Sequence, residues 1–211
     1  MEYKLSKAKN KETGEFVLIK EIARNVIDNN SINRRIFEKE LNLMKKLNSD
    51  YFIKLIDVYQ TKTHYYLITE YFEGKILENF LSSRKTLSEN LVQQIVRSLA
   101  PAFKELDENN IVLDFLSTKS FCFKYFKNED NFQIKFFDYG LSIIFTEINN
   151  QREFLLNEAK LGEVKSPKTN VLSMGMVIYK LLFGETIYKF NLDEDPEETI
   201  GKSNDLFIYK F

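Results

Sequence analysis

The sequence has very few residues of the kinds that bind metals or cross-link a chain. Its 211 residues include one cysteine, Cys122, and one histidine, His64. A single cysteine excludes an internal disulfide framework and a multi-cysteine zinc site, and it is typical of a reducing compartment. A single histidine excludes a two-histidine zinc site and restricts histidine-dependent acid–base chemistry to one position. We therefore expect a cytoplasmic protein.

The sequence also lacks an excess of charge of either sign and a long apolar run. Its 30 Lys and Arg residues against 31 Asp and Glu residues give a net charge of −1. This balance argues against broad electrostatic binding to nucleic acid or to acidic membranes. Residues 1–7 carry charges where a signal peptide would be apolar, and the longest apolar stretch near the C-terminus, at 171–183, is far shorter than the ~20 residues that span a bilayer. We expect neither nucleic acid nor a membrane among the partners.

Apolar side chains are plentiful enough for a sizeable core, since hydrophobic residues make up 44% of the chain. The patterns predict, in chain order, a hairpin at 9–20, a helix that Asn30 or Ser31 can cap, and a hairpin with strands at 52–59 and 65–71. They then predict an amphipathic helix through 91–106, strands at 120–125 and 133–137, and a helix at 171–183. Because this last helix is apolar nearly all round, we expect it to be buried on every side.

Five motifs follow one another along the chain. They are Val17-Leu18-Ile19-Lys20, Glu40 before the sequence LNLMKKL, the stretch 68–74, Asp138-Tyr139-Gly140, and the stretch 168–175. In this order and at these spacings they resemble a eukaryotic protein kinase domain over nearly the whole chain. The resemblance implies an α+β, two-lobed fold, with a β-rich N-lobe and hinge at 1–72 and a mainly helical C-lobe at 73–211. It also implies truncation at both ends, without the glycine-rich loop and the last helices.

The resemblance assigns expected roles to five residues of a nucleotide site. Lys20 matches the lysine that pairs with nucleotide phosphates, and Glu40 matches the glutamate that holds this lysine in place. The main-chain carbonyl of Glu70 and the amide of Phe72 would face adenine. Asp138 matches the aspartate that binds magnesium. The cofactors implied are ATP and Mg²⁺.

The stretch that matches the catalytic loop, at 113–120, departs from the family pattern. Phe115 occupies the position of the catalytic aspartate, and a phenyl ring cannot accept the proton of a substrate hydroxyl. Ser117 replaces the lysine, and Ser120 replaces the asparagine that holds the second magnesium. Asp114 is the one neighbouring carboxylate, but adjacent side chains point in different directions. We therefore assign no residue to catalysis. Asp114 is only a weak candidate for the base.

Other departures affect the expected nucleotide pocket. The glycines that cradle phosphates are missing before Leu5. Leu18 stands where the family places a small alanine against adenine, and Ile76 stands where many members carry an acidic ribose-binding residue. Overfilling a close-packed site costs about 1–3 kcal/mol, which is one or two orders of magnitude in affinity. We therefore expect binding of ATP and Mg²⁺ to be weak or absent.

Several retained polar residues also have purely structural interpretations. Lys20 and Glu40 could form only an ion pair that ties a helix to a sheet. Asp138 could hydrogen-bond the loop after its strand instead of binding magnesium. Glu158 weakly matches the glutamate of the family's A-P-E motif, and we favour a solvated residue there. Cys122, between two phenylalanines, is expected to be a small core residue.

These observations predict a pseudokinase, a catalytically impaired kinase-like domain that acts as an intracellular regulatory or scaffolding module. Its expected partner is a protein, either a regulated kinase or another signalling protein. The alternative is a divergent active Ser/Thr protein kinase that transfers phosphate from ATP to protein and uses Asp114 for proton handling. A third interpretation is a fragment whose apolar stretch 206–211 drives aggregation.

Overall fold

The N-terminal part of the chain forms a four-stranded antiparallel sheet. The structure is a computed structural model, and it describes residues 3–113, 115–126, 131–145 and 167–185. The strands are β1 (Lys4–Lys9), β2 (Phe16–Ala23), β3 (Leu55–Gln60) and β4 (His64–Glu70), in the order β1-β2-β4-β3. The second predicted hairpin is therefore present. The first has its second strand as predicted, but its first strand is Lys4–Lys9 and lies before the predicted range 9–20. The first turns at Gly14, whose φ of 74° is one that glycine adopts without strain.

Two helices follow β2. The short helix α1 (Arg24–Asp28) was missing from the sequence-based prediction, whereas α2 (Ser31–Lys46) was expected. Asn30 caps α2, because its side-chain oxygen accepts hydrogen bonds from the amides of Ile32 and Asn33, at 2.9 and 3.1 Å. The buried face of α2 carries a polar residue, Glu40, between apolar neighbours.

The second part of the chain combines helices with a small sheet. It contains β5 (Lys75–Ile76), α3 (Leu77–Ser82), α4 (Glu89–Glu108), β6 (Phe121–Tyr125), β7 (Phe132–Phe136) and α5 (Lys168–Phe183). The sheet has the order β5-β6-β7 and is antiparallel. Two 3₁₀ helices, Thr118–Ser120 and Leu141–Phe145, flank β6 and β7. None of the described helices is long and apolar enough to cross a bilayer.

The two parts meet through a backbone bridge and a shared aromatic core. Phe52 bridges Phe136 of β7, and the amide of Phe136 donates to the carbonyl of Tyr51 at 2.8 Å. The rings of Phe52 and Phe136 lie 5.2 Å apart and are both fully buried. One apolar cluster extends from α2 to α5 through this contact. The predicted division at residue 72 stays a prediction.

The expectation that the last helix is buried on every side was wrong. One face of α5 is buried and carries Met174, Val177 and Leu181, and the carbonyl of Leu181 accepts a hydrogen bond from the amide of Leu87. Three large apolar side chains of the same helix, Val171, Leu172 and Phe183, are more than half exposed. The physical reason is that apolar composition favours burial but does not determine how many faces of a helix find a neighbour.

Candidate active site

Three charged side chains meet in the interior between the two parts of the chain. The ammonium of Lys20 lies 3.2 Å from Oδ2 of Asp138 and 3.6 Å from Oε1 of Glu40. Their residues are 3%, 0% and 1% exposed, so the charges are almost fully removed from water. The structure therefore brings together three of the five residues predicted for a nucleotide site.

Each of these side chains comes from an element whose local pattern places it inward. Lys20 belongs to β2, which is hydrogen-bonded to strands on both sides, and Glu40 lies on the buried face of α2. Asp138 follows β7 and binds its own loop, because its Oδ1 accepts from the amides of Gly140 and Ser142 at 3.0 and 3.1 Å. Asp138 thus makes the hydrogen bonds to its following loop that its structural interpretation expects.

Glu40 binds the same loop from the other side. Its Oε2 accepts hydrogen bonds from the amides of Tyr139 and Leu141, at 2.9 and 3.3 Å. Its Oε1 has no hydrogen-bond partner among the described residues, although Lys20 is close to it. Glu40 therefore ties helix α2 to the segment 139–141 in addition to facing Lys20.

Burial and neighbouring charges shift the pKa values of this cluster. Burial, and then the charge of Asp138, raise the pKa of Glu40 to about 8, although Lys20 acts in the opposite direction. Burial opposes the charge on Lys20, but Asp138 and Glu40 outweigh it and hold the pKa of Lys20 above its ordinary value. A proton on Glu40 leaves one cation and one anion in the site, which is the cheaper arrangement in a region without water.

The two predicted adenine-facing residues lie in different surroundings. The main-chain carbonyl of Glu70 accepts from the hydroxyl of Thr69 at 3.2 Å, and the carboxylate of Glu70 pairs with Lys135 at 2.8 Å. The carbonyl of Phe72 accepts from the amide of Gly74 at 2.9 Å. A Cβ at Gly74 would lie 2.6 Å from the carbonyl oxygen of Phe123, so this turn is closely packed and suits only glycine.

An apolar cluster occupies the region next to these residues. Its buried members are Ile53, Cys122 and Phe137, and the half-buried side chains of Leu18, Phe72 and Ile76 pack against them. The expectation for Cys122 is confirmed, because the residue is 8% exposed and burial raises the pKa of its thiol to about 12. Leu18 and Ile76, the two departures noted in the sequence, therefore contribute to apolar packing.

The stretch that matches the catalytic loop forms hydrogen bonds among its own residues. Oγ of Ser120 accepts from the amide of Ser117 at 3.1 Å, and Oγ of Ser117 accepts from the amide of Lys119 at 3.1 Å. The ring-bearing side chain of Phe115 packs against the main core, with its Cβ 3.8 Å from a Cβ built on Gly140. These serine hydroxyls act as caps of a short 3₁₀ helix. Asp114, like Glu158 and the stretch 206–211, lies outside the described residues.

Sequence reasoning missed a buried polar residue that positions this loop. The side-chain oxygen of Asn170 accepts from the amide of Leu113 at 2.9 Å, and its nitrogen donates to the carbonyl of Ile111 at 2.7 Å. Asn170 is 2% exposed at the start of α5. The signal was a polar side chain at the start of an otherwise apolar helix, since buried amides need partners.

A second missed cluster joins α3 to the loop and to α5. The carboxylate of Glu78 pairs with the ammonium of Lys180 at 2.8 Å and accepts a hydrogen bond from the hydroxyl of Thr118. These contacts lower the pKa of Glu78 despite its partial burial, which acts in the opposite direction. Because the three residues are 40 and 102 positions apart in sequence, no local pattern could have revealed the cluster.

Comparison with known proteins decides the family. The protein-family model described as "Protein kinase domain" matches residues 4–207. The chain belongs to the protein kinase family. The kinase-like, two-lobed α+β fold expected from the motifs is confirmed by a solved structure, the crystal structure of Rad53 1-466 in complex with AMP-PNP. It superimposes with a TM-score of 0.70 at 20% identity and covers 96% of this chain and 48% of that one.

Curated relatives of this kinase domain are Ser/Thr kinases. The serine/threonine-protein kinase 33 of Mus musculus is 27% identical over 208 residues, covering 91% of this chain and 41% of the mouse protein. The probable serine/threonine-protein kinase KIN1 homolog of Enterocytozoon bieneusi is 28% identical over 189 residues, covering 86% of this chain and 30% of the relative. The chain thus spans less than half the length of these relatives.

The side chains expected to face ATP and Mg²⁺ contact one another and the backbone around them. Both oxygens of Asp138 are engaged, Oδ1 by two amides and Oδ2 by Lys20. The hydroxyl of Ser120 accepts a hydrogen bond within its own loop. Within the described ranges no three His, Cys, Asp or Glu side chains lie close enough to hold a metal ion. Lys20 itself is only 3% exposed.

Proposed function

We propose that this protein kinase domain is catalytically impaired, a pseudokinase, and that it acts in the cytoplasm as a regulatory or scaffolding module. The observation that carries the proposal is the closed catalytic-loop stretch. Phe115, at the position of the base, is partly buried and packs against the core, and the hydroxyls of Ser117 and Ser120 cap their own 3₁₀ helix. No acceptor for a substrate proton and no second metal ligand is supplied by these three positions.

The chemistry of the side chains at these positions supports the loss of phosphoryl transfer. Phosphoryl transfer in kinases depends on positioning and on charge stabilisation by metal ions, with an aspartate that accepts the hydroxyl proton. A phenyl ring accepts no such proton, and a serine oxygen already accepting from an amide is a poor ligand for Mg²⁺. We infer that ATP binding is weak or absent, because Asp138 and Lys20 already satisfy each other.

The proposed partner is a protein, a regulated kinase or another signalling protein. A domain that transfers no phosphate can still act through its surface. The edge strand β3 carries two large apolar side chains, Ile56 and Tyr59, that are more than half exposed. Exposed apolar side chains on a free strand edge favour contact with another protein.

The second candidate is a divergent active Ser/Thr kinase. One structural observation favours it, namely that Lys20, Glu40 and Asp138 meet in the cleft between the two parts of the chain. The Ser/Thr kinases among the relatives also favour it. In this candidate, Asp114 would accept the substrate proton.

A transfer assay distinguishes the two candidates. Wild type and Asp114→Asn are incubated with labelled ATP, Mg²⁺ or Mn²⁺, and a mixed panel of Ser/Thr peptides. The matched control is Asp107→Asn, an exposed aspartate near the end of α4. The pseudokinase proposal expects no transfer above background from any of the three proteins. Metal-dependent transfer that Asp114→Asn abolishes and Asp107→Asn leaves intact would establish the active kinase.

A further inference from the structure

Two aromatic rings lie close to the ammonium of Lys20. The ring centroid of Tyr3 lies 5.0 Å from Nζ of Lys20, and that of Phe137 lies 4.8 Å away. The two carboxylates of Glu40 and Asp138 complete the enclosure. Tyr3, which directly precedes β1, is therefore one of the groups that enclose Lys20.

Tyr3 is held over Lys20 by a contact across the cleft. Its ring meets the ring of Phe145 edge-on, with centroids 5.2 Å apart and planes at 77°. Tyr3 precedes β1 of the N-terminal sheet, and Phe145 ends the 3₁₀ helix Leu141–Phe145 that follows Asp138. The contact thus joins the N-terminal sheet directly to the segment that Glu40 and Asp138 bind.

A cavity lies beside the contact between Tyr3 and Phe145. The cavity has a volume of about 300 Å³, near the lower end for small-molecule sites. Its lining includes both closing rings, Tyr3 and Phe145, together with Asn79, Lys119 and Ser142. Because both rings border the cavity, their separation would enlarge it.

We propose that the Tyr3–Phe145 contact is an autoinhibitory closure of the kinase cleft, which covers Lys20 and must open before a nucleotide can enter. The inference rests on the proposed function in one respect, namely that the cleft as it stands does not serve ATP. It goes further by naming the residues that exclude the nucleotide. The closure is reversible, because an edge-on aromatic pair and a cation–π contact are each weak interactions.

Nucleotide affinity and the reactivity of Lys20 test this closure together. Wild type, Tyr3→Ala and Phe145→Leu, all in the full chain, are titrated with ATP and Mg²⁺ by calorimetry. The same proteins are acetylated with acetic anhydride, and the rate at Lys20 is compared by mass spectrometry with that at Lys11, an exposed lysine. We expect each variant to bind ATP roughly ten- to hundredfold more tightly than wild type. Acetylation of Lys20 should accelerate by a similar factor.

Two controls make the outcome specific. Phe16→Ala removes an exposed ring at the start of β2, far from Tyr3, that contacts the ring of Tyr71 at a tilt. It should change neither the ATP affinity nor the acetylation rate of Lys20. In the double variant Tyr3→Ala with Lys20→Met, the gain in affinity should disappear. Circular dichroism verifies that each variant is folded.

Unchanged affinity and unchanged Lys20 reactivity in both folded variants would overturn the closure. Faster acetylation of Lys20 without tighter ATP binding would also overturn it, because the opened cleft would then not admit a nucleotide. Neither the ATP affinity nor the acetylation rate of Lys20 measures phosphate transfer. A wild type that transfers phosphate would therefore refute the proposed function without changing the comparison between wild type and Tyr3→Ala.

Discussion

The ammonium of Lys20 lies 3.2 Å from the carboxylate of Asp138, although 118 residues separate them in sequence and water reaches neither. This pair connects the N-terminal sheet to the loop after β7. Glu40 adds a second connection, from helix α2 to the same loop. The cluster therefore connects the two parts of the domain, and we expect changes in its charges to alter the free energy of unfolding.

The first prediction concerns the removal of the cation. Lys20→Met keeps the length of the side chain but leaves the carboxylate of Asp138 buried without its counter-ion. Breaking one partner of a buried pair costs about 3–5 kcal/mol, so the free energy of unfolding in urea should fall by that amount. Lys11→Met, at an exposed position, should change it by less than about 0.5 kcal/mol. A loss below about 1 kcal/mol for Lys20→Met would show that the pair is not important for stability.

The second prediction concerns pH. Because burial raises the pKa of Glu40 from 4.5 to about 8, the folded chain keeps a proton that the unfolded chain releases between these values. Protons bound by the folded state favour it, so the contribution of Glu40 to stability is present below pH 4.5 and is lost as the pH rises toward 8. Relative to Glu40→Gln, which cannot ionise, wild type should lose at least about 1 kcal/mol of unfolding free energy between pH 5 and pH 8.

The control for this pH dependence is on the same helix. Glu38 is exposed on α2, and Glu38→Gln should follow the wild-type profile across the whole range. Parallel profiles for wild type and Glu40→Gln would mean that Glu40 is ionised in the folded protein at neutral pH. The Lys20 pair with Glu40 would then be an ordinary buried ion pair.

The third prediction concerns the amide of Asn170. Asn170→Asp keeps the acceptor for the amide of Leu113 but replaces the donor to the carbonyl of Ile111 with an oxygen. An unsatisfied buried acceptor costs about 1–3 kcal/mol, which should appear in the free energy of unfolding at pH 7. The difference from wild type should shrink at acid pH, where a protonated carboxyl can donate again.

A matched asparagine provides the control for that variant. Asn109, at the end of α4, also donates from its side chain to a carbonyl, that of Glu105 at 2.9 Å, but it is exposed. Asn109→Asp should therefore cost less than about 0.5 kcal/mol, because water replaces the lost partner. Equal losses for Asn170→Asp and Asn109→Asp would contradict the positioning role of Asn170.

The fourth prediction uses the single cysteine as a reporter of the apolar cluster. Cys122 packs with Ile53 and Phe137, and burial raises the pKa of its thiol to about 12. Reaction with a thiol reagent at pH 8 should therefore be at least about a hundredfold slower in the folded protein than in urea. Comparable rates would indicate that the region next to the hinge is open to small molecules.

Much of the fold could be predicted from the sequence because its signals are local. The turn at Thr13-Gly14 predicted β2, and β-branched and aromatic residues beside a polar turn predicted β4. The spacing of apolar residues predicted α2 with its Asn30 cap. The ordered motifs added the family and the meeting of Lys20, Glu40 and Asp138. Short elements such as α1 and β5 were missed, since two to five residues carry too little periodicity.

The parts of the site that could not be predicted depend on long-range contacts. A sequence identifies Ser117 and Ser120 as departures from a motif, but it does not reveal that Asn170, 57 residues after Leu113, hydrogen-bonds the start of this stretch. The same holds for the contact of Tyr3 with Phe145, two aromatic residues that no local pattern connects. The exposed apolar side of α5 was mispredicted because burial depends on the neighbours that a helix meets.

Thermal unfolding with and without millimolar ATP and Mg²⁺ tests most directly whether the cluster of Lys20, Glu40 and Asp138 is structural. A ligand that binds only the native state raises its stability by RT ln(1 + [L]/Kd), so binding must appear as a higher Tm. The account predicts one cooperative transition in wild type, at the same Tm with and without nucleotide. A metal-dependent increase in Tm that is lost in Lys20→Met would contradict it and would indicate a functional nucleotide site.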